Sequence, residues 1–161
     1  REVAPDRERA SLHPLFAASN APGNVAVVID ESGPVTDRIS AALAAAGNRL
    51  VETTPAEHDS AMETVQTGTH AAVLAFAAAA EDVPEGLTTP IFDDLSAVAE
   101  QVTGNSPSVY AEIQATFDGA DRVAAAAARI ADADDEEFER LYREATDAIR
   151  NASATAEEEN T

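Results

Sequence analysis

Residues 24–34 read Asn-Val-Ala-Val-Val-Ile-Asp-Glu-Ser-Gly-Pro. Asn24 to Ile29 is a short run rich in β-branched side chains, and acid and glycine follow it directly, which is the pattern of a strand buried on both faces. Downstream, Val35, Ile39, Ala42, Leu43 and Ala46 recur at helical spacing until Gly47-Asn48 supplies a stop signal. Strand, turn and helix then repeat. Arg49 to Thr53 reads as a second strand, Glu57 to Thr67 as a helix ending at Gly68, Ala71 to Ala77 (AAVLAFA) as a third strand and Thr89 to Phe92 as a short fourth. The acidic pair Asp93-Asp94 opens a helix over Asp94 to Val102, and Ser108 to Thr116 reads as a fifth strand. Such alternation predicts an α/β fold, a three-layer sandwich with a central parallel, flavodoxin-like sheet of about five strands. The C-terminus is expected to be helical, over Ala120 to Ala131 and again over Asp135 to Asn151, with Phe138, Leu141, Tyr142, Ala145 and Ile149 on one face. That face suits either the chain's own body or a second copy, so a homo-oligomer is expected. Upstream, residues 1–23 read as a loose N-terminal extension, residues 24–152 as a single domain and residues 153–161 as a disordered acidic tail.

Composition bounds the surroundings and the partners. Thirty Asp and Glu oppose ten basic residues, every one of them Arg, for a formal charge of −20 on 161 residues. Self-repulsion of this size is screened in molar salt within about 3 Å, and 45% of the chain is hydrophobic, so the reading is a folded halophilic protein of a high-salt cytoplasm. A nucleic-acid backbone gains nothing from meeting such a surface, nor does an anionic membrane. With no cysteine, thiolate nucleophiles and cysteine metal sites are excluded. The longest apolar run, Ala71 to Ala80, is too short to span a bilayer. The chain opens at Arg1 rather than Met, which fits a processed form or an excised domain.

In a parallel sheet, ligands gather at the carboxyl ends of the strands. That places candidate ligand-binding residues at Asp30, Glu31, Ser32 and Gly33, ahead of a helix N-terminus that favours an anion, and at Glu81 and Asp82 after the third strand. Asp30, Glu31 and a loop acid such as Asp93 have the oxygen chemistry a divalent cation wants, but their pattern does not assign a metal site. His58, at the head of the second helix between Glu57 and Asp59, is the candidate general acid or base. His13 and His70 sit away from that edge and read as structural or exposed. No G-x-S-x-G, H-E-x-x-H, G-x-G-x-x-G or Walker loop occurs, and no cofactor is expected.

Ser108 to Asn151 resembles the C-terminal part of the class I carboxyaminoimidazole ribonucleotide mutase and AIR carboxylase family of purine biosynthesis. The matching features are Val109 to Ala115, Gly119-Ala120, Ala127-Ala128-Arg129-Ile130, Asp134 to Glu136 and Phe138 to Ile149. Ala75 to Pro90 is similar to a shortened form of that family's glycine-rich loop. The resemblance implies a carboxylase- or mutase-like domain that binds a small ligand, with His58 in the second catalytic loop and Glu81 or Asp82 where the family carries a third-loop histidine. Asp30-Glu31-Ser32-Gly33-Pro34 replaces the family's phosphate loop, which implies degenerate chemistry. A second stretch, Val28 to Gly33 with Gly68 to Leu74, resembles the extracytoplasmic domain of ABC-2-type permeases and implies a noncatalytic domain between membrane helices.

Overall fold

The computed structural model describes residues 7–84 and 86–158, and the chain divides into two compact units, Arg1–Thr64 and Val65–Thr161. The first is built on the β-branched run that starts at Asn24. Strand β1 (Arg9–Pro14), strand β2 (Asn24–Glu31) and strand β3 (Arg49–Glu52) form one sheet in the order β1-β2-β3. β1 lies antiparallel and β3 parallel to β2. Because β2 has a neighbour on each side, Val25, Ala26 and Val27 are buried, and each valine contributes about 2 kcal/mol by leaving water.

Parallel pairing needs a crossover, and helix α1 (Pro34–Ala45) supplies it between β2 and β3. Pro34 stands at its first helical position, where no amide hydrogen is missed. Gly47, at φ 88°, turns the chain out of the helix, and Asn48 Nδ2 donates to the Leu43 carbonyl at 3.0 Å, satisfying a terminal acceptor. Helix α2 (Pro55–Met62) follows β3.

The second unit is helical. After a π-helical stretch, Glu63–Gly68, come α3 (Thr69–Ala79), α4 (Pro90–Thr103), α5 (Pro107–Thr116), α6 (Gly119–Asp132) and α7 (Asp135–Glu158). Phe76 of α3 meets Phe92 of α4 edge to face with ring centroids 5.7 Å apart, and Val73 and Ala99 are buried on the same two helices. Arg129 of α6 pairs with Glu137 and Glu144 of α7. No helix among the described residues is long and apolar enough to cross a membrane.

The expected five-stranded parallel flavodoxin-like sandwich is therefore overturned by a three-stranded mixed sheet in a mostly helical chain. Three stretches account for the difference. Ala71 to Ala77 lies inside α3, because alanine is the best helix former and Val73 is the single β-branched residue in that run. Thr89 to Phe92 is the start of α4, with Pro90 in the first turn and the Thr89 hydroxyl accepting from Phe92 N at 3.3 Å. Ser108 to Thr116 is α5, again entered through a proline, Pro107. The segments that carried the carboxylase resemblance, Val109 to Ala115 foremost, thus lack its strands, and a parallel-sheet AIR-carboxylase-like fold is not what the chain adopts. Arg9 to Pro14, expected in a loose extension, is a sheet strand. Residues 153–158 of the expected tail continue α7, and residues 1–6, 85 and 159–161 lie outside the described residues.

Candidate functional site

Two segments far apart in sequence build the polar centre of the first unit. β1 presents His13, whose Cα partner in the ladder is Ala26 of β2. α2 presents His58 in its first turns, and that turn is fixed by reciprocal capping. Thr54 Oγ1 accepts from Glu57 N at 3.2 Å while Glu57 Oε2 accepts from Thr54 N at 3.0 Å, a capping box that sets the rotation of the helix. The Thr54 backbone amide and hydroxyl also hold the Glu57 carboxyl below its usual pKa.

The result is a direct imidazole pair. His13 Nδ1 lies 2.9 Å from His58 Nε2, with ring centroids 5.1 Å apart and planes tilted by 58°. His58 Nδ1 lies 2.9 Å from Asp59 Oδ1. The His58 side chain is 17% exposed and that of Asp59 63%, so the arrangement runs from a sheltered imidazole to a solvated carboxylate. Loss of hydration first, and the neighbouring His58 second, lower the pKa of His13. His13 is therefore neutral at neutral pH, the state in which imidazole accepts a proton.

The other expected residues fall elsewhere. Asp30 accepts from Arg9 Nε at 2.6 Å, across the sheet edge where Arg9 pairs with Glu31. Ser32 and Gly33 lead into α1, whose N-terminus is occupied from within the chain. Glu8 Oε2 accepts from Val35 N at 2.7 Å and from Thr36 N at 2.8 Å. The anion expected in this loop is thus the protein's own carboxylate. Glu81 and Asp82 are exposed in the segment after α3, and Asp93 accepts from Thr88 Oγ1 at 3.4 Å in the second unit. Among the described residues no three His, Asp or Glu side chains are grouped to hold a metal ion.

The sequence singles out His58, sets His13 aside as structural or exposed, and does not mark Glu8. Alternation in Arg9 to Pro14, with Leu12 and His13 before a proline, was the available signal for an edge strand. In the second unit the Thr67 hydroxyl and His70 Nδ1 are buried without a hydrogen-bond partner. Burial lowers the pKa of His70, whose ring meets Tyr110 edge on at 4.7 Å. Gln114 Nε2 donates to the Thr67 carbonyl at 3.0 Å. Beside them Leu74, Val102, Pro107, Tyr110 and Ala111 line a pocket of about 350 Å³.

No family model matches this chain. Among curated proteins it is 33% identical over 128 residues to a 4-amino-4-deoxyprephenate dehydrogenase of Streptomyces pristinaespiralis. The alignment takes in 74% of this chain and 43% of that protein, so the chain spans less than half the length of this relative.

Proposed function

We propose that this chain is the proton-accepting part of a dehydrogenase whose substrate is of the prephenate class, a ring acid bearing an amino or hydroxyl group. Oxidation of such a carbon removes a hydride from carbon and a proton from the heteroatom, so a neutral base must stand at the heteroatom. The His13/His58 pair supports the reading: a sheltered, neutral imidazole backed by a second imidazole and a carboxylate. The 33% identity to a dehydrogenase with a named substrate of that class supports it independently. No glycine-rich dinucleotide fingerprint occurs in this sequence, so the hydride acceptor is assigned to none of its residues and the reading covers the proton alone.

The test offers the protein prephenate and its 4-amino-4-deoxy analogue with a nicotinamide acceptor in molar KCl and follows cofactor reduction. Turnover that falls by about 100-fold or more in His13→Asn is the expected result. Unchanged turnover in that variant, or none with either substrate, would remove the reading. The proposal includes a cytoplasm of high salt, supported by the charge of −20. It also includes a homo-oligomer, supported by the apolar stripe of α7, where Phe138, Tyr142 and Ile149 are 50%, 69% and 70% exposed.

A further inference from the structure

Both imidazoles of the pair are placed by reference to one strand, β2, from opposite sides. On one side the antiparallel ladder sets His13 opposite Ala26. On the other, Glu52 of β3 pairs with Val27, and the next residue, Thr53, donates its amide to the Val27 carbonyl at 2.9 Å. Ala26 and Val27 are buried, so this part of β2 is a fixed reference for both lines. The two lines differ in how they end. His13 sits within its strand, whereas His58 lies beyond the point where the chain leaves the sheet. It belongs to the first turns of a helix, where amides lack intrahelical partners and the end frays unless capped.

Glu57 spans that gap. Its Oε2 accepts from Thr54 N at 3.0 Å, from the Thr54 hydroxyl at 2.8 Å and from the Thr53 hydroxyl at 3.4 Å. The Thr54 hydroxyl accepts in turn from Glu57 N at 3.2 Å, and the Thr54 carbonyl takes His58 N at 2.9 Å, the first bond of the helical ladder. One carboxylate therefore ties the residues that leave β3 to the turn that carries His58. We infer that Glu57 is a positioning residue, which keeps the His58 ring at its 2.9 Å contact with His13 by locking the start of α2 to the end of β3. The use of that contact in catalysis rests on the function proposed above. Two features make directed hydrogen bonds, rather than charge, the means. Pro55 follows Thr54 at the first helical position and fixes φ there, so the turn is already close to the shape the carboxylate closes. Molar salt screens the field of an exposed carboxylate within about 3 Å, which leaves its short contacts.

The three histidines of the chain report this without any turnover. In the whole chain, labelled at histidine and held in molar KCl, a through-space NMR cross-peak is expected between the His13 and His58 rings, whose centroids are 5.1 Å apart. Glu57→Ala should lose it. Glu57→Gln, whose amide oxygen still accepts from Thr54 but carries no charge, should keep it. Hydrogen exchange at the amides of Arg49 and Thr53, which donate to Gly23 O and Val27 O, reports whether the sheet itself is intact and should be unchanged in both variants. A cross-peak retained in Glu57→Ala, or lost in Glu57→Gln, would overturn the positioning role. So would its loss in Glu57→Ala together with amide protection at Arg49 and Thr53, since Glu57 would then support the whole sheet rather than His58. With turnover of a prephenate-class substrate, Glu57→Ala is expected to lower kcat about tenfold or more and leave KM within about twofold, with recovery in Glu57→Gln. An unchanged kcat would overturn the role. If the cross-peaks behave as expected and neither substrate turns over, the proposed function fails and Glu57 still positions His58.

Discussion

Glu8 shows how far a single side chain can decide a local structure. Its carboxylate takes two backbone amides at the start of α1, where charge-assisted bonds and the helix dipole act together. Glu8→Ala is expected to destabilise the fold by about 1–2 kcal/mol. A Cβ at Gly33 would run into the same Glu8 side chain, so Gly33→Ala should displace it at similar cost. The double variant should then cost no more than the larger single one, and additive losses in chemical denaturation would show that the two positions act separately. His13 carries a pH dependence of definite sign. Its folded pKa lies below the ordinary 6.5, so the unfolded chain binds more protons as pH falls. The stability is fully present above about 6.5 and is lost as pH drops below it. Melting in molar KCl should therefore fall between pH 7.5 and 5.5, and the fall should be smaller in His13→Asn. His58 was legible in the sequence because its local setting, a capped helix start between two acids, is written in adjacent residues. His13 was not, since its importance comes from a partner 45 positions away.

At the scale of elements, local signals and tertiary context part company. β2, α1 and its stop at Gly47 follow from residues within each segment, and the structure has them where those residues predict. Gly47→Ala forces a side chain onto a backbone at φ 88°, and a loss of about 1 kcal/mol is expected in denaturant titration, with the midpoint moved and the slope unchanged. The helices of the second unit were harder to read because a short apolar run fits a buried strand or a buried helix equally well by periodicity. Pro90 and Pro107 held the information that separates the two. Each is the first residue of a helix, a position that proline favours, whereas Pro90 falls inside the expected fourth strand and Pro107 just ahead of the expected fifth.

For the whole molecule, the charge of −20 is the property that salt controls. Helical circular dichroism is expected to weaken as KCl is lowered from molar to millimolar, because unscreened repulsion opposes the compact state; an unchanged spectrum would count against a halophilic adaptation. The antiparallel pairing of β1 with β2 has a different kind of consequence, which concerns the lengths of homologous chains. His13 reaches His58 only in the register that sets it opposite Ala26, and a slip of one residue would turn it to the other face. The segment 15–23 joins two strands already closed by Leu15 N donating to Asn24 O at 2.9 Å, so residues inserted there leave the register intact. Upstream the regular register ends at Ala10, because Asp30 of β2 is the extra residue between the pair of Ala10 with Ile29 and that of Arg9 with Glu31. A change of length before Ala10 therefore does not move His13 along the ladder. Between these two points no such latitude exists. Relatives that keep the imidazole pair should therefore vary in length before Ala10 and after Pro14, and hold a constant count between them.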